Sequence, residues 1–434
     1  MSSKPNFVWK TPSPTQEQIL YWWWPGNPYA NCSYIELEGA VRSGKTITAS
    51  YSFINWASYT FDQEDLALCS KTIGTCLRNI VRPLKRILSE EPNYEVKEYR
   101  ASAEGHRLEV TDIGLDHTNS FFVYGGKDES SQDLIQGKTL AGALADEVLL
   151  YPLSFLNQLL SRTSVENSKV WFTFNPTGPT DPMYSEILDP YVADGRAYYL
   201  HLTMDDNPDL SEEARTRIES QWPVGSVWHS RNVLGKRVTA EGAIFPFFND
   251  RPENGFVIDK LPTDFNRWIV SGDYGQDHPT TYGLYGYSPS LASWVMVKEY
   301  YDRMKTNVEY STDFGEFIKW DGKDLLLEEV DIDPGGGGLS LITQLRTDYP
   351  QLADRGIINH AIKVDVNSEL QDLASALYTH KFRYYSGCKR SIIETANYRW
   401  NEKSKKSGKE EPLKENDDGP SRDRYAWNRI MRLS

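Results

Sequence analysis

Residues 39–46 read Gly-Ala-Val-Arg-Ser-Gly-Lys-Thr and match, without a mismatch, the spacing of a glycine, four residues, then Gly-Lys-Ser/Thr. Few short stretches constrain a fold so strongly. Gly39, Ser43 and Gly44 let successive backbone N–H groups curl around a β-phosphate, Lys45 reaches the β/γ oxygens, and the Thr46 hydroxyl is suited to hold Mg²⁺. The surroundings agree: the run Ser33 to Leu37 reads as a short strand, and the stretch from Thr46 to Tyr59 reads as a helix. A strand, a loop and a helix in that order set a phosphate on a helix N-terminus.

The first 205 residues contain the other parts of such a nucleotide site. Residues 137–147 form a small apolar strand ending in Asp146 and Glu147, about 100 residues after the loop. In this pattern Asp146 binds Mg²⁺ through water and Glu147 polarises the attacking water. A further strand, Lys169 to Phe174, ends in Asn175-Pro176. Asn175 is a candidate sensor of the γ-phosphate, or simply the start of an Asn-Pro turn. Arg42 is placed to approach the γ-phosphate from within the loop. Gln16, 23 residues before Gly39, either reads an adenine edge with its amide or sits on a solvated helix whose cap is Thr15. The aromatic run 21–24 is core or a base-stacking wall. Between the strands, the helix ending near Leu88 carries Arg78, Arg82, Lys85 and Arg86, a solvated face or a phosphate or DNA contact. Alternating strands and helices from 30 to 205 predict an α/β sheet wound around the loop's strand.

A chain of 434 residues exceeds one ordinary core, so two or three domains are expected. No apolar run reaches the roughly 18 residues of a membrane span, and residues 1–6 open no apolar signal core, so neither membrane insertion nor secretion is expected. Cys32, Cys69, Cys76 and Cys388 form no Cys-x-x-Cys pair and read as packing residues of a reducing compartment. Net charge is −14, but residues 381–434 carry 14 Lys and Arg against 8 Asp and Glu, a net +6 that leaves −20 for the rest. That balance argues against a passive coat on nucleic acid and permits a local basic groove. The polar, basic stretch 400–409 is a candidate DNA-facing loop.

Turn formers concentrate at 241–262, which separates a domain over 1–240 from another over 263–434. In the second domain Asp273 ends a buried strand, a hairpin partner follows at Trp294 to Tyr300, and a third strand from Asp324 ends in Asp331-Ile332-Asp333-Pro334. Asp331 and Asp333 share a face by period two, so either can point into a site.

Taken together, Gly39 to Thr46, Leu144 to Glu147, Thr173 to Pro176, Asp205 to Pro208 and Ala240 to Pro246 occur in the order seen in large terminase subunits of tailed bacteriophages. The chain resembles that family from about Pro14 to Tyr425. The resemblance implies an α/β P-loop NTPase with a mostly parallel sheet and flanking helices, followed by an RNase H-like α/β nuclease domain. It implies ATP and Mg²⁺ in the first domain and two Mg²⁺ or Mn²⁺ ions in the second, held by acids from separate strands and a late helix. Asp273 and Asp333 match the family's first two nuclease acids. The third departs from the pattern: aligned on Arg424-Tyr425-Ala426, Asp418 takes the place of a histidine and Ser421 that of the usual aspartate. Asp418 is the favoured replacement ligand, with Asp423 as the alternative. The implied partners are double-stranded viral DNA, a portal protein, a small terminase subunit and further copies in a ring on the portal, in the host cytoplasm. The rival readings are a helicase or repair ATPase with a degenerate nuclease domain and a non-enzymatic assembly scaffold.

Overall fold

The computed structural model describes residues 10–102, 105–179, 181–275, 278–320, 322–404 and 410–433. The opening six residues and residues 405–409, half of the basic stretch 400–409, therefore lie outside the described residues. Two compact units form: one of residues up to Thr216 with Ser230–Thr239, the other of Arg217–His229 with Ala240 onward.

The first unit is built on an eight-stranded sheet. Its strands are β1 (Tyr34–Gly39), β2 (Asp65–Ser70), β3 (Tyr94–Ser102), β4 (Gly105–Asp112), β5 (His117–Gly125), β6 (Gly142–Asp146), β7 (Lys169–Phe174) and β8 (Ala197–Leu202). They lie in the order β3-β4-β5-β2-β6-β7-β1-β8. From β5 to β8 every pairing is parallel, and the hairpin β3-β4 extends the far edge antiparallel. Strands β1, β2, β6 and β7 are buried nearly end to end, as strands covered on both faces must be. The loop's strand β1 lies between β7 and β8, and helix α2 (Lys45–Thr60) leaves it directly.

Helix α1 (Pro14–Tyr21) corrects one expectation: Ser13, not Thr15, is its cap, closing a reciprocal capping box with Gln16. Trp22 and Trp23 belong to the core, with the Trp22 ring edge-on to Trp171 at 5.0 Å, while Tyr21 and Trp24 stay exposed. Cys69, Cys76 and Cys388 are buried and all four cysteines are free, as packing residues are. The basic helix after β2 is broken into α3 (Ile73–Cys76), a π-turn over Leu77–Val81, and α4 (Arg82–Leu88).

The second unit carries β9 (Val257–Ile258), β10 (Arg267–Asp273), β11 (Thr280–Ser288), β12 (Ser293–Asp302), β15 (Glu329–Ile332), β16 (Ile358–His360) and β17 (Phe382–Tyr385), in the order β16-β15-β10-β11-β12-β17-β9. A separate two-stranded ribbon pairs β13 (Lys319–Trp320) with β14 (Lys323–Asp324). The hairpin partner of β12 is β11, not the strand ending at Asp273. Glycines at 283 and 286 hide β11 in the sequence, yet seven of its nine residues from Thr280 onward are buried without a break. Strand β10 lies centrally, antiparallel to β11 and parallel to β15, so Asp273 and the residues just after Ile332 emerge at the same sheet end. The closing helix Asp418–Leu433 packs on β10 and β11. The described residues contain no helix long and apolar enough to cross a membrane.

Candidate nucleotide and carboxylate sites

The approach of β8 explains the first glycine of the loop: a Cβ on Gly39 would lie 2.0 Å from the Leu202 carbonyl oxygen. Gly44 then turns the chain at φ +86 to start α2. Lys45 is buried, and its ammonium donates to the carbonyls of Gly39 (3.2 Å) and Ala40 (2.8 Å) and to Asn175 Oδ1 (2.6 Å). Burial lowers its pKa to about 8, with Asp146 and Glu147 pulling the other way.

Asp146, at the end of β6, accepts on Oδ1 from Thr46 Oγ1 (2.7 Å) and Thr173 Oγ1 (2.6 Å). Its second oxygen is buried with no hydrogen-bond partner, and so is the Ser43 hydroxyl. Two orphaned polar atoms beside a loop of N–H donors fit a metal–phosphate ligand, since such atoms are costly to bury empty. Glu147 follows at φ 58, a left-handed conformation that turns its half-buried side chain off the strand line. Burial, then the Asp146 charge, raises its carboxyl above the ordinary range.

These residues enclose a cavity of about 480 Å³, lined by Val41 to Ile47, Asp146, Glu147, Thr173, Phe174, Asn175 and Asn207, with Arg78, Asn79 and Pro83 on a further wall. Asn207, from the Asp-Asp-Asn-Pro stretch, donates to the Arg42 carbonyl at 2.7 Å and so braces the loop. Gln16 does not line this cavity. Its Oε1 accepts the Ser13 N–H, and its Nε2 lies against Gly44, where a Cβ would meet it at 3.0 Å. Its amide thus lies beside the loop and is nearly fully buried.

In the second unit Asp273 lies near enough to Asp333, Asp417 and Asp418 to feel their charges. Burial first, then the charges of Asp333, Asp418 and Asp417, push Asp273 up to about 8. Burial, then Glu394 and Asp417, push Asp418 up to about 6. Asp333 behaves in the opposite way. Burial works against its charge, but Lys363 Nζ (2.6 Å), the Gly335 N–H (2.7 Å) and the Tyr425 hydroxyl (3.0 Å) together hold it below the ordinary range. Among the described residues no three such side chains close around a point where an ion would sit. The donor set nonetheless fits hard divalent cations: it is all carboxylate, and its surplus negative charge is what a cation relieves.

Two expected ligands are not among them. Asp331 does lie on the same side as Asp333, one turn along the closing helix, but Arg429 binds it through two hydrogen bonds of 2.6 and 2.7 Å. Asp423 is fully buried, accepting from Tyr285 (2.5 Å) and Tyr384 (2.7 Å) and ion-paired with Arg422 at 2.9 Å. It is a core ion pair, turned away by the rotation of two residues along a helix. Asp417, Lys363 and Asn79 are the site residues that sequence reasoning did not single out, and Arg78 stood only as one of four basic residues on a helix. For Asp417 the signal was present, as the residue beside Asp418 at a helix start.

A phosphate-binding loop on a parallel sheet, joined to a mixed sheet whose strand ends and closing helix gather acids, defines a P-loop NTPase linked to an RNase H-like domain. The chain belongs to the large terminase family. It is 37% identical to the large terminase from a thermophilic bacteriophage, covering 97% of this chain and 100% of that one with a TM-score of 0.85. Structures of the same bacteriophage's large terminase with ADP (36% identity, 96% and 99% coverage, TM-score 0.81) and with ATP-γ-S (35%, 96% and 99%, 0.80) match similarly. No protein-family model and no curated protein sequence matches the chain.

Proposed function

We propose that this chain is an ATP-driven motor that moves double-stranded viral DNA through a portal into a procapsid and cuts the concatemer with a two-metal endonuclease. The reading rests chiefly on the Lys45–Asn175 and Thr46–Asp146 hydrogen bonds at the head of a 480 Å³ cavity. The ADP and ATP-γ-S complexes of the thermophilic bacteriophage's large terminase support nucleotide binding by this chain.

In hydrolysis Lys45 and the loop N–H groups carry the phosphate charge, Thr46 and Asp146 are the residues that would hold Mg²⁺, and Glu147, its proton affinity raised, orients and accepts from the attacking water. Arg42, exposed at the loop, faces the same phosphates. Asn175 links the strand end of β7 to Lys45, so a change in phosphate occupancy is felt at β7. In the second unit Asp273, Asp333, Asp417 and Asp418 are the residues that would hold Mg²⁺ or Mn²⁺, and the ions would supply activation of water and stabilisation of the leaving oxygen. Tyr425 and Lys363 orient Asp333. The domains run 1–240 and 263–434 about a linker at 241–262. Portal protein, small terminase subunit and further copies of the chain in a ring are the working partners, in the host cytoplasm.

Lys45→Ala is expected to abolish DNA-stimulated ATP hydrolysis; intact hydrolysis refutes the motor. Asp273→Ala is expected to abolish plasmid cleavage under Mn²⁺, and undiminished cutting refutes the nuclease assignment.

A further inference from the structure

The broken helix after β2 forms part of the nucleotide cavity's lining. It contributes Arg78, Asn79 and Pro83, while Leu77, Val81, Arg82 and Lys85 line a different pocket. The break has a definite form: the Arg82 N–H donates to the Leu77 carbonyl, an i to i+5 bond that closes a π-turn over Leu77–Val81. Such a turn admits one extra residue and re-aims the side chains beside it, and single π-turns inside helices concentrate at functional sites. Here it sets Arg78 and Asn79 together on the cavity side.

Asn79 locates this wall relative to the phosphates. Its amide lies near the Asp146 carboxylate, on the lining of the same cavity. Arg78, the preceding residue, lines the same cavity as Lys45, Asp146 and Glu147. Its guanidinium is exposed and makes one side-chain hydrogen bond, to Thr75 Oγ1 at 3.3 Å, with no acidic partner among the described residues. An arginine with donors to spare, on the wall of an anion site, is matched to a phosphoryl group by its planar fork.

We propose that Arg78 contacts the γ-phosphoryl group of ATP as a catalytic residue, an inference that rests on the nucleotide-site reading of the same cavity. As the water oxygen bonds to phosphorus, the bond from phosphorus to the ADP oxygen breaks and the water passes a proton to the Glu147 carboxylate. Charge shifts toward the bridging oxygen and the equatorial γ oxygens, where a guanidinium stabilises it. Arg78 is distinct from Arg42 in this role because it comes from the helix after β2 and not from the loop itself.

The test uses the full chain with Arg78→Ala and Arg78→Lys, measuring ATP turnover and the binding of ADP and ATP-γ-S by calorimetry. Arg78→Ala is expected to lower kcat by about 10²- to 10³-fold, the usual cost of one lost donor to a developing charge. ATP-γ-S binding is expected to weaken about tenfold, a change of about 1.4 kcal/mol, while ADP binding stays the same. Arg78→Lys restores part of the turnover. Unchanged turnover, or equal weakening for ADP and ATP-γ-S, overturns the proposal. Lys45→Ala run alongside keeps the two readings apart: if it binds and hydrolyses ATP normally, the nucleotide site itself is misplaced.

Discussion

Glu36 offers a quantitative test of the first unit's electrostatics. It lies in β1, paired in register with Phe172 on β7 and Tyr199 on β8, and is fully buried with neither carboxyl oxygen hydrogen-bonded. Two residues on, Glu38 takes every nearby donor: the hydroxyls of Tyr184 and Tyr199 at 2.9 Å and Arg237 Nε at 2.8 Å. Arg237 also donates to Asp189 at 2.6 Å and stacks on Tyr184 at 3.8 Å, so it is fully committed. Burial therefore pushes Glu36 up to about 9 from 4.5, with Arg237 opposing and Asp189 and Glu38 reinforcing. The folded-state pKa is raised, so the associated stability is complete below about pH 4.5 and is lost as pH climbs towards about 9. At pH 7 the loss is about 3 kcal/mol, from ~2.5 pH units at ~1.36 kcal/mol each. Glu36→Met, similar in volume and without the acid, escapes this loss. Scanning calorimetry of the first unit's transition is expected to show the variant ahead by roughly 6–12 °C at pH 7, at ~2–4 °C per kcal/mol. The gap should shrink to the packing difference alone near pH 4.5. A gap that does not change with pH refutes the argument, because packing differences between Met and Glu carry no pH dependence.

Asp423→Ala is expected to cost the second unit about 3–5 kcal/mol, since it strands the fully buried Arg422 without its counter-charge. Asp418→Ala, at a partly exposed helix start, leaves that unit's melting unchanged but abolishes Mn²⁺-dependent cutting. Calorimetry beside a plasmid assay separates the two, and a stable Asp423→Ala protein refutes the core-pair assignment. Asn175→Ala removes the side-chain acceptor that holds Lys45 and is expected to lower kcat by about 10²-fold, with ADP affinity unchanged. Steady-state turnover with calorimetric ADP binding checks this, and an equal loss in both would make Asn175 a binding residue.

The nucleotide site was legible because its parts are local. The loop, the strand before it and the helix after it are one continuous stretch, and each acid at the end of a buried strand is announced by the small apolar residues before it. The wall formed by Arg78 and Asn79 was not legible, because a regular helix predicts a single solvated stripe for Arg78, Arg82, Lys85 and Arg86. The π-turn splits that stripe between two pockets. Strand β11 was hidden for a comparable reason, its glycines reading as turns. A Cβ on Gly283 would meet the Tyr285 hydroxyl at 2.4 Å, so the residue that weakens the strand signal is required by the buried Arg422–Asp423–Tyr285 network beside it.

The choice among the nuclease acids shows where period-two reasoning ends. Asp331 and Asp333 both face the closing helix, as their spacing demands, and meet Arg429 and Tyr425, which are one helical turn apart. Their fates differ only through those partners. A guanidinium satisfies Asp331 with two hydrogen bonds and seals it in the core at 1% exposure. A phenol and a half-exposed lysine leave Asp333 ionised at the mouth of the site. The position of Arg429, nearly a hundred residues downstream, thus decides which of two equivalent aspartates is free to act. Lys363→Met is expected to raise Mn²⁺ affinity measured by calorimetry, since it removes the cation that competes for Asp333, and unchanged affinity would mean that Lys363 does not occupy the ion's place.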